Sequence, residues 1–234
     1  MEYKKYHRDK TYEKFERHFK NIFRKRFDIA RNFMKKKGRV LDIGCSTGSM
    51  LDIFREAGFE TWGVEPSESA EIAREKGHKI KNSYFEKALL PPSYFDVVIL
   101  NHTLEHMDDA VWVLKKVYRI LKANGILVVD VPNAGGLGAK ILGNRWPYRL
   151  PEEHKYQFTK DSLIEVFEKS GFRVMHFESR SGIFEFAHPF EEVWESLVTL
   201  KKRFFRNLIN MPYDILVTGL NMGDSMTVIG KKSS

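Results

Sequence analysis

The stretch VLDIGCSTGSM, residues 40–50, decides which fold this sequence adopts. An apolar run at residues 39–43 predicts a short buried strand, and a turn containing Gly44 and Gly48 leads from it into a helix at residues 47–57. Glycines in such a turn allow a ligand to approach the backbone, and the start of the helix offers unpaired N–H groups. This arrangement is typical of nucleotide-binding α/β folds, although an isolated turn of this kind could be a plain connection.

An acidic residue after the next predicted strand strengthens the nucleotide interpretation. Residues 59–64 form that strand, and Glu65 stands 21 positions after Gly44, directly before Pro66. A carboxylate at this place can accept hydrogen bonds from both hydroxyls of a ribose, as it does in dinucleotide-binding folds. The plain alternative is a surface glutamate before a turn. The order of strand, glycine turn, helix, strand and acid favours the ribose site.

Strands and helices continue to alternate through the rest of the chain. Further strands are predicted at residues 79–81, 95–100, 125–131, 172–178 and 225–230. One or two helices are predicted over residues 12–34, and further helices at residues 67–76, 108–121, 159–169 and 189–211. This alternation predicts a Rossmann-like α/β fold with a mostly parallel, seven-stranded sheet and helices on both faces.

The predicted domain organisation is one α/β domain at residues 39–234, preceded by a basic helical segment at residues 1–38. Residues 132–157 contain several glycines and prolines, and a loop that long inside a compact domain is usually functional or mobile. Residues 182–213 separate the last two predicted strands and contain the predicted helix 189–211. We predict that these two insertions form a cap over a pocket. The alternative for the helix is simple packing of an amphipathic face on the core.

The composition excludes several classes of protein. With 234 residues, of which 42% are hydrophobic, the chain can bury one full core. Cys45 is the only cysteine, which excludes a disulfide framework and a cysteine-rich zinc site. No run of about 18 apolar residues occurs, and the first ten residues are charged rather than apolar. The sequence therefore predicts a cytoplasmic protein, and it makes no prediction of the oligomeric state.

The positive charge of the chain is concentrated at its start. Residues 1–38 hold 14 Lys or Arg against 5 Asp or Glu, a net charge of +9. The formal net charge of the whole chain is +8, so the remaining residues together carry −1. A localised basic segment can bind nucleic acid or an anionic membrane surface. A lysine-rich helix is more often a solvated face, so nucleic acid is an unlikely partner and peripheral membrane contact is an open alternative.

Four motifs in order resemble those of one enzyme family. They are LDIGCSTG at residues 41–48, VEPS at 64–67, FDVV at 95–98 with LEH at 104–106, and LKANGIL at 121–127. The sequence resembles the class I S-adenosylmethionine-dependent methyltransferases, and in motif style the ubiquinone-biosynthesis O-methyltransferase-like group. The similarity covers about residues 39–133 and continues more weakly through 158–174.

The resemblance implies that S-adenosyl-L-methionine is the cofactor and suggests how it is bound. Gly44 and its neighbours would contact the methionine portion, Glu65 the ribose, residues 82–85 the adenine, and the backbone of Asn101 and His102 the ammonium. The complete set of implied cofactor contacts is Asp42, Gly44, Cys45, Gly48, Glu65, Pro66, Asn82, Ser83, Tyr84, Phe85, Asn101 and His102.

Two positions depart from the family pattern. Ser46 stands where the first motif usually has another glycine, which would narrow the access to the backbone there. Asn124 precedes a single glycine where many relatives have two, which would affect only the turn. A nicotinamide-binding oxidoreductase is disfavoured because the turn at residues 44–48 lacks the Gly-x-Gly-x-x-Gly spacing that a pyrophosphate requires.

Two histidines are candidates for a catalytic base. A hydroxyl acceptor would benefit from proton removal, whereas the cofactor already carries an activated methyl group. His154 is the stronger candidate because it lies beyond the fifth strand's carboxyl end, although a structural hydrogen bond is the more common role for a loop histidine. His106 could equally orient or pack. No metal site is expected, because Glu152, Glu153 and His154 are adjacent and cannot converge on one ion.

Three functions from different classes follow. The first is O- or N-methylation of a small, apolar or aromatic acceptor, in a pocket that the two cap insertions cover. The second is a nucleic-acid methyltransferase that grips its substrate through residues 1–38, which would show as steeply salt-dependent binding. The third is a protein that binds the cofactor without catalysis. A basic amphipathic helix at residues 189–211 could also lie on an anionic membrane.

Overall fold

The computed structural model describes residues 16–34, 37–198 and 202–232. The strands are β1 (Arg39–Ile43), β2 (Glu60–Val64), β3 (Lys79–Lys81), β4 (Phe95–Asn101), β5 (Leu121–Pro132), β6 (Phe172–Arg180) and β7 (Ser225–Lys232). The helices are α1 (Glu16–Arg31), α2 (Ser49–Glu56), α3 (Ser69–Glu75), α4 (Ala110–Ile120), α5 (Leu137–Leu142), α6 (Lys160–Lys169), α7 (Pro189–Val198) and α8 (Lys202–Gly219). Short 3-10 helices lie at Leu104–His106, Gly143–Arg145 and Gly182–Glu185.

The strands form one seven-stranded sheet in the order β3-β2-β1-β4-β5-β7-β6. All neighbouring pairs are parallel except those of β7, which runs antiparallel to both β5 and β6. The carboxyl ends of β1, β2, β4 and β5 therefore meet at one edge. The strand order reverses between β1 and β4, and ligands of open α/β sheets bind outside the carboxyl ends at such a point. The predicted fold class is confirmed.

Hydrophobic residues cover both faces of the sheet because successive side chains of a strand point to opposite sides. Leu41 and Ile43 of β1 belong to one buried cluster, whereas Val40 belongs to the other. Helix α1 contributes Phe23 and Ile29 to this second cluster. The described part of the basic N-terminal segment thus shares the core of the α/β domain; the predicted helix start at residue 12 lies outside the described residues.

The predicted helix over residues 189–211 corresponds to α7 and α8; residues 199–201 between them lie outside the described residues, so its continuity stays a prediction. Its predicted end at Met211 is wrong. Helix α7 ends at Val198, and α8 begins at Lys202 and continues past Pro212 to Gly219. Pro212 lies inside α8, although a proline removes one helical hydrogen bond. The helix continues because Val217 is buried and the carboxylate of Asp214 accepts a backbone hydrogen bond from Ile183.

The segment at residues 132–157 is more ordered than its glycines suggest. It contains α5 and a 3-10 helix, and the N–H of Leu137 donates to the carbonyl oxygen of Met222 at 2.8 Å. The indole N–H of the buried Trp146 donates to Asp224 at 2.9 Å. These contacts fasten the segment to the start of β7. Within the described ranges, no helix is both long and apolar enough to cross a bilayer.

Candidate active site

The turn after β1 has a backbone conformation that requires glycine. Gly44 has a φ of 77°, and its N–H donates to the carbonyl oxygen of Val64 at 2.8 Å. A Cβ atom at Gly44 would lie 2.6 Å from Oγ1 of Thr103, closer than van der Waals contact permits. Ser46, the departure from the family motif, also has a positive φ, of 46°. The turn therefore keeps the glycine-like path with a serine at this position.

The carboxylate of Glu65 is held in place by this turn. Its Oε2 accepts the N–H of Ser46 and its Oε1 accepts the N–H of Ser67, both at 2.9 Å. Each carboxylate oxygen has a further lone pair for a ligand hydroxyl. Asn82, directly after β3, holds the backbone around Glu65. Its side-chain amide donates to the carbonyl oxygens of Glu65 at 2.8 Å and Ser67 at 3.0 Å.

A cavity of about 510 Å³ opens at the carboxyl ends of β1, β2 and β4. Small-molecule sites commonly have volumes in this range. Its lining residues are Ile43, Gly44, Ser46, Val64, Glu65, Pro66, Ser67, Tyr84, Phe85, Glu86, Lys87, Asn101, His102, Thr103, His106, Met107, Asp108, Glu152, Glu153 and Lys155. The cavity thus runs without interruption from the glycine turn and Glu65 to the histidines and the segment after α5.

The implied cofactor contacts fall into two groups. Those that line the cavity are Gly44, Glu65, Pro66, Tyr84, Phe85, Asn101 and His102. Those that do not line it are Asp42, Cys45, Gly48, Asn82 and Ser83. Burial and the nearby Glu65 raise the pKa of Asp42 to about 8. Among the described residues, neither Oδ1 of Asp42 nor Oδ1 of Asn101 has a hydrogen-bond partner, so polar atoms remain available for a ligand at this end.

The two candidate bases differ in their access to the cavity. His106 lines it, and Nδ1 of His106 donates to the carbonyl oxygen of Glu153 at 2.9 Å, so that Nε2 carries the free lone pair of the neutral ring. His154 does not line the cavity. It is buried, and its ring centroid lies 4.8 Å from that of His106. Burial lowers the pKa of His154, which favours the neutral ring.

His102 is more than a backbone contact. Its Nδ1 lies 3.4 Å from Oε1 of Glu105, and its Nε2 lies 3.5 Å from Oδ1 of Asp130. Burial lowers the pKa of His102, but contact with Glu105 and the charges of Glu105 and Asp130 outweigh it, and the net shift is upward. Both ring nitrogens therefore face carboxylates. The contact with Asp130 could not be predicted from local sequence, because Asp130 is far from His102 along the chain.

Glu105, His106 and His154 are a possible set of metal ligands. Each offers one ligand atom, and these atoms lie within 4.8 Å of one another. Carboxylate and imidazole groups bind Zn²⁺ in proteins. Glu152 and Glu153, the acids adjacent to His154 in the sequence, are exposed, and the buried carboxylate beside the two histidines is that of Glu105, on the turn after β4. The expectation of no metal stays a prediction.

The end of the 132–157 segment forms one wall of the cavity. The N–H of Tyr156 donates to the carbonyl oxygen of Glu105 at 3.2 Å, and Lys155 forms an ion pair with Asp108. These contacts join the segment to the turn that carries His106. Among the described residues of 182–219, by contrast, none lines the cavity. The cap role of that second insertion stays a prediction.

Comparisons with known proteins agree with this arrangement. Residues 15–176 match the family model described as a methyltransferase domain. The chain belongs to the class I S-adenosylmethionine-dependent methyltransferases. A ubiquinone biosynthesis O-methyltransferase of Bradyrhizobium diazoefficiens is 32% identical over 140 residues, which cover 54% of this chain and 55% of the relative. The chain thus spans about half the length of the curated relatives that it matches.

Solved structures of methyltransferases share the fold. A Thermotoga maritima methyltransferase, a possible histamine N-methyltransferase, has a TM-score of 0.64 at 22% identity and covers 97% of this chain and 98% of that one. A Haemonchus contortus phosphoethanolamine N-methyltransferase in complex with S-adenosyl-L-methionine has a TM-score of 0.59 at 19% identity. The match covers 90% of this chain and 53% of that one. These structures share the fold; the cofactor, S-adenosylmethionine as predicted, follows from the family that the methyltransferase-domain match shows.

Proposed function

We propose that the protein transfers the methyl group of S-adenosylmethionine to a hydroxyl oxygen of a small acceptor. The continuous cavity supports this most strongly, because it joins the Glu65 end to a histidine that has a free nitrogen. The cofactor would occupy the part between Gly44, Glu65 and Phe85. The acceptor would occupy the part beside His102, His106 and Met107.

The residues at the cofactor end fit the parts of S-adenosylmethionine. Glu65 would accept hydrogen bonds from the two ribose hydroxyls, because backbone amides already fix both carboxylate oxygens. The unpartnered Oδ1 of Asn101 would accept a hydrogen bond from the ammonium group. When bound, the sulfonium cofactor supplies an activated methyl group. The protein then has to align the acceptor oxygen and exclude water.

The Glu65→Ala variant tests the ribose assignment. It should bind S-adenosylhomocysteine at least about tenfold more weakly than wild type, because hydrogen bonds to a charged group are lost. Isothermal titration calorimetry measures this, with Glu68→Ala as the matched control, because Glu68 is exposed and directly precedes α3. Equal affinity in a folded Glu65→Ala variant would remove Glu65 from the site, and no binding by the wild type would reject the cofactor placement altogether.

The acceptor end favours O-methylation of a phenolic hydroxyl. His106 presents its Nε2 as a proton acceptor, and relatives are named ubiquinone biosynthesis O-methyltransferases. In this proposal His106 serves as the base, and the ring of His154 packs against it. The test is transfer of a labelled methyl group to a panel of catechols and primary amines. A methyl ether is the expected product, and a methylamine as the sole product would assign N-methylation instead.

The structure offers little to the nucleic-acid alternative. Helix α1 places Phe23 and Ile29 in the core, and its Arg26 is buried, so part of the basic segment does not face solvent. Absence of RNA and DNA binding at low salt would reject that alternative. Turnover with any acceptor would reject cofactor binding without catalysis.

The surface that best supports peripheral membrane contact lies around α5, and not on the helix predicted at residues 189–211. Around α5, the exposed residues Lys140, Ile141, Leu142, Arg145 and Tyr148 form what we name the apolar-basic patch. Acidic residues are absent from 134–151, which suits an anionic surface. Helix α7 also exposes apolar side chains, but glutamates precede and follow them in its sequence.

The Ile141→Glu variant tests this contact. It should partition at least about tenfold more weakly than wild type onto vesicles that contain phosphatidylglycerol, because Ile141 is 68% exposed and would enter the interface. Leu89→Glu is the control, since Leu89 is 89% exposed and is not part of the apolar-basic patch. Cosedimentation measures the difference. Failure of the wild type to sediment with the vesicles would reject membrane contact through this patch.

A further inference from the structure

The loop after β3 forms one wall of the cavity but has little regular structure of its own. Tyr84, Phe85, Glu86 and Lys87 line the cavity from this loop. It follows a three-residue strand at the edge of the sheet. Its internal backbone hydrogen bonds run from the N–H groups of Lys87 and Ala88 to the carbonyl oxygen of Tyr84, at 3.1 and 3.0 Å, and from the N–H of Ala88 to the carbonyl oxygen of Phe85 at 3.2 Å. Contacts from outside the loop must therefore fix the rest of its backbone.

Lys116 of α4 supplies those contacts. Its Nζ donates to the carbonyl oxygens of Phe85 at 2.6 Å, Glu86 at 3.0 Å and Ala88 at 2.9 Å. An ammonium group has three donors, so these three carbonyls use all of them. The same Nζ lies 4.7 Å from the ring centroid of Phe85 and 5.5 Å from that of Trp112.

This arrangement differs from an ordinary lysine on a helix surface. Such a lysine keeps its ammonium in water, whereas partial burial lowers the pKa of Lys116 from its ordinary value. Removing a charge from water is unfavourable unless hydrogen bonds replace the lost hydration. The carbonyl oxygens of the loop provide those bonds only in one loop conformation. Lys116 thus stabilises the loop in the conformation that places Phe85 in the cavity wall.

We propose that Lys116 is a positioning residue for the adenine end of the cofactor. The proposal rests on the cofactor placement given above, in which residues 82–85 face the adenine. Asn82 fixes the start of the loop and Lys116 fixes its end, so the wall is formed before the ligand arrives. A loop that is already ordered loses less conformational entropy on binding, and this raises the affinity.

Two ligands separate this role from a general effect on stability. S-adenosylhomocysteine contains the adenine, whereas S-ribosylhomocysteine has the same sulfur-linked amino acid and ribose without the base. Lys116→Met removes the ammonium and keeps an unbranched side chain against Trp112. Lys115→Met is the matched control, because Lys115 is exposed on the same helix and, among the described residues, forms no hydrogen bond to the loop.

Lys116→Met should bind S-adenosylhomocysteine about tenfold more weakly than wild type or Lys115→Met, and should bind S-ribosylhomocysteine equally well. Amide hydrogen exchange should accelerate at residues 84–88 and stay unchanged in α4. If Lys116→Met does not fold, Lys116→Gln replaces it with the same expectations. Unchanged affinity for S-adenosylhomocysteine, or equal losses for both ligands, would overturn the proposal. Absence of binding by wild type would instead reject the cofactor placement itself.

Discussion

His106→Ala is expected to slow methyl transfer about a hundredfold or more, with the affinity for S-adenosylhomocysteine within about twofold of wild type. The reason is the fixed tautomer of the ring. The N–H at Nδ1 is committed to the carbonyl oxygen of Glu153, so the neutral ring keeps a lone pair on Nε2 for the acceptor's proton. Single-turnover measurement of labelled methyl transfer to the best acceptor of the panel checks this result.

The matched control for this prediction is His188→Ala. His188 is an exposed histidine that does not line the cavity, and its variant should retain wild-type turnover. Equal turnover by His106→Ala would return His106 to an orienting or packing role. Loss of wild-type activity on adding EDTA, with recovery on adding Zn²⁺, would assign the ring to the metal-ligand set with Glu105 and His154 instead.

The cofactor end of the site could be predicted from the sequence because its geometry is local. Gly44 is required by a turn within a few residues of β1, and Glu65 follows directly on the neighbouring parallel strand. The backbone hydrogen bonds that hold Glu65 come from residues of these same two turns. Strand order then brings both turns to one edge of the sheet.

The acceptor end could not be predicted in the same way because its contacts join distant parts of the chain. The sequence favours His154 as the base because of its position after β5. In the structure His154 does not line the cavity, and its ring packs against that of His106, which does. Only the folded segment at residues 143–157 brings these two rings and Glu105 together. The contacts of Lys116 with the loop after β3 are of the same kind, since they cross about 30 positions of sequence.

The basic N-terminal segment shows how a charge run can mislead. Arg26 stands among other cations and therefore resembles a solvated residue, yet it is 3% exposed. The signal that could have revealed it lies in β5, where Asp130 is the single acid within an otherwise apolar run from residue 126 to 132. A lone carboxylate in a buried strand requires a buried partner.

Loss of one partner from this buried network should strongly destabilise the fold. Nη2 of Arg26 lies 3.1 Å from Oδ1 of Asp130, and Nη1 of Arg26 donates to the carbonyl oxygen of Glu185 at 2.9 Å. Arg180 and Thr227 also donate to the same carboxylate. The network thus connects α1, β5, β6, β7 and the 3-10 helix after β6. Nε2 of His102, which lines the cavity, lies 3.5 Å from Oδ1 of the same Asp130.

Arg26→Met should lower the free energy of unfolding by about 3 to 5 kcal/mol, because it removes one partner of a buried ion pair and leaves Glu185 and Asp130 undercompensated. Arg24→Met on the same helix is the control, since the ion pair of Arg24 with Glu56 is exposed and should contribute less than about 1 kcal/mol.

Burial alone would raise the pKa of Asp130, but the charges of Arg26 and Arg180 hold it well below its usual range. The contribution of this carboxylate is therefore complete above its unfolded-state pKa and is lost only as the pH falls through the lower folded-state value. Urea unfolding at pH 7 and at pH 5 should give the same large difference between the two variants, and equal stabilities would show that α1 is not fastened to the core through Arg26.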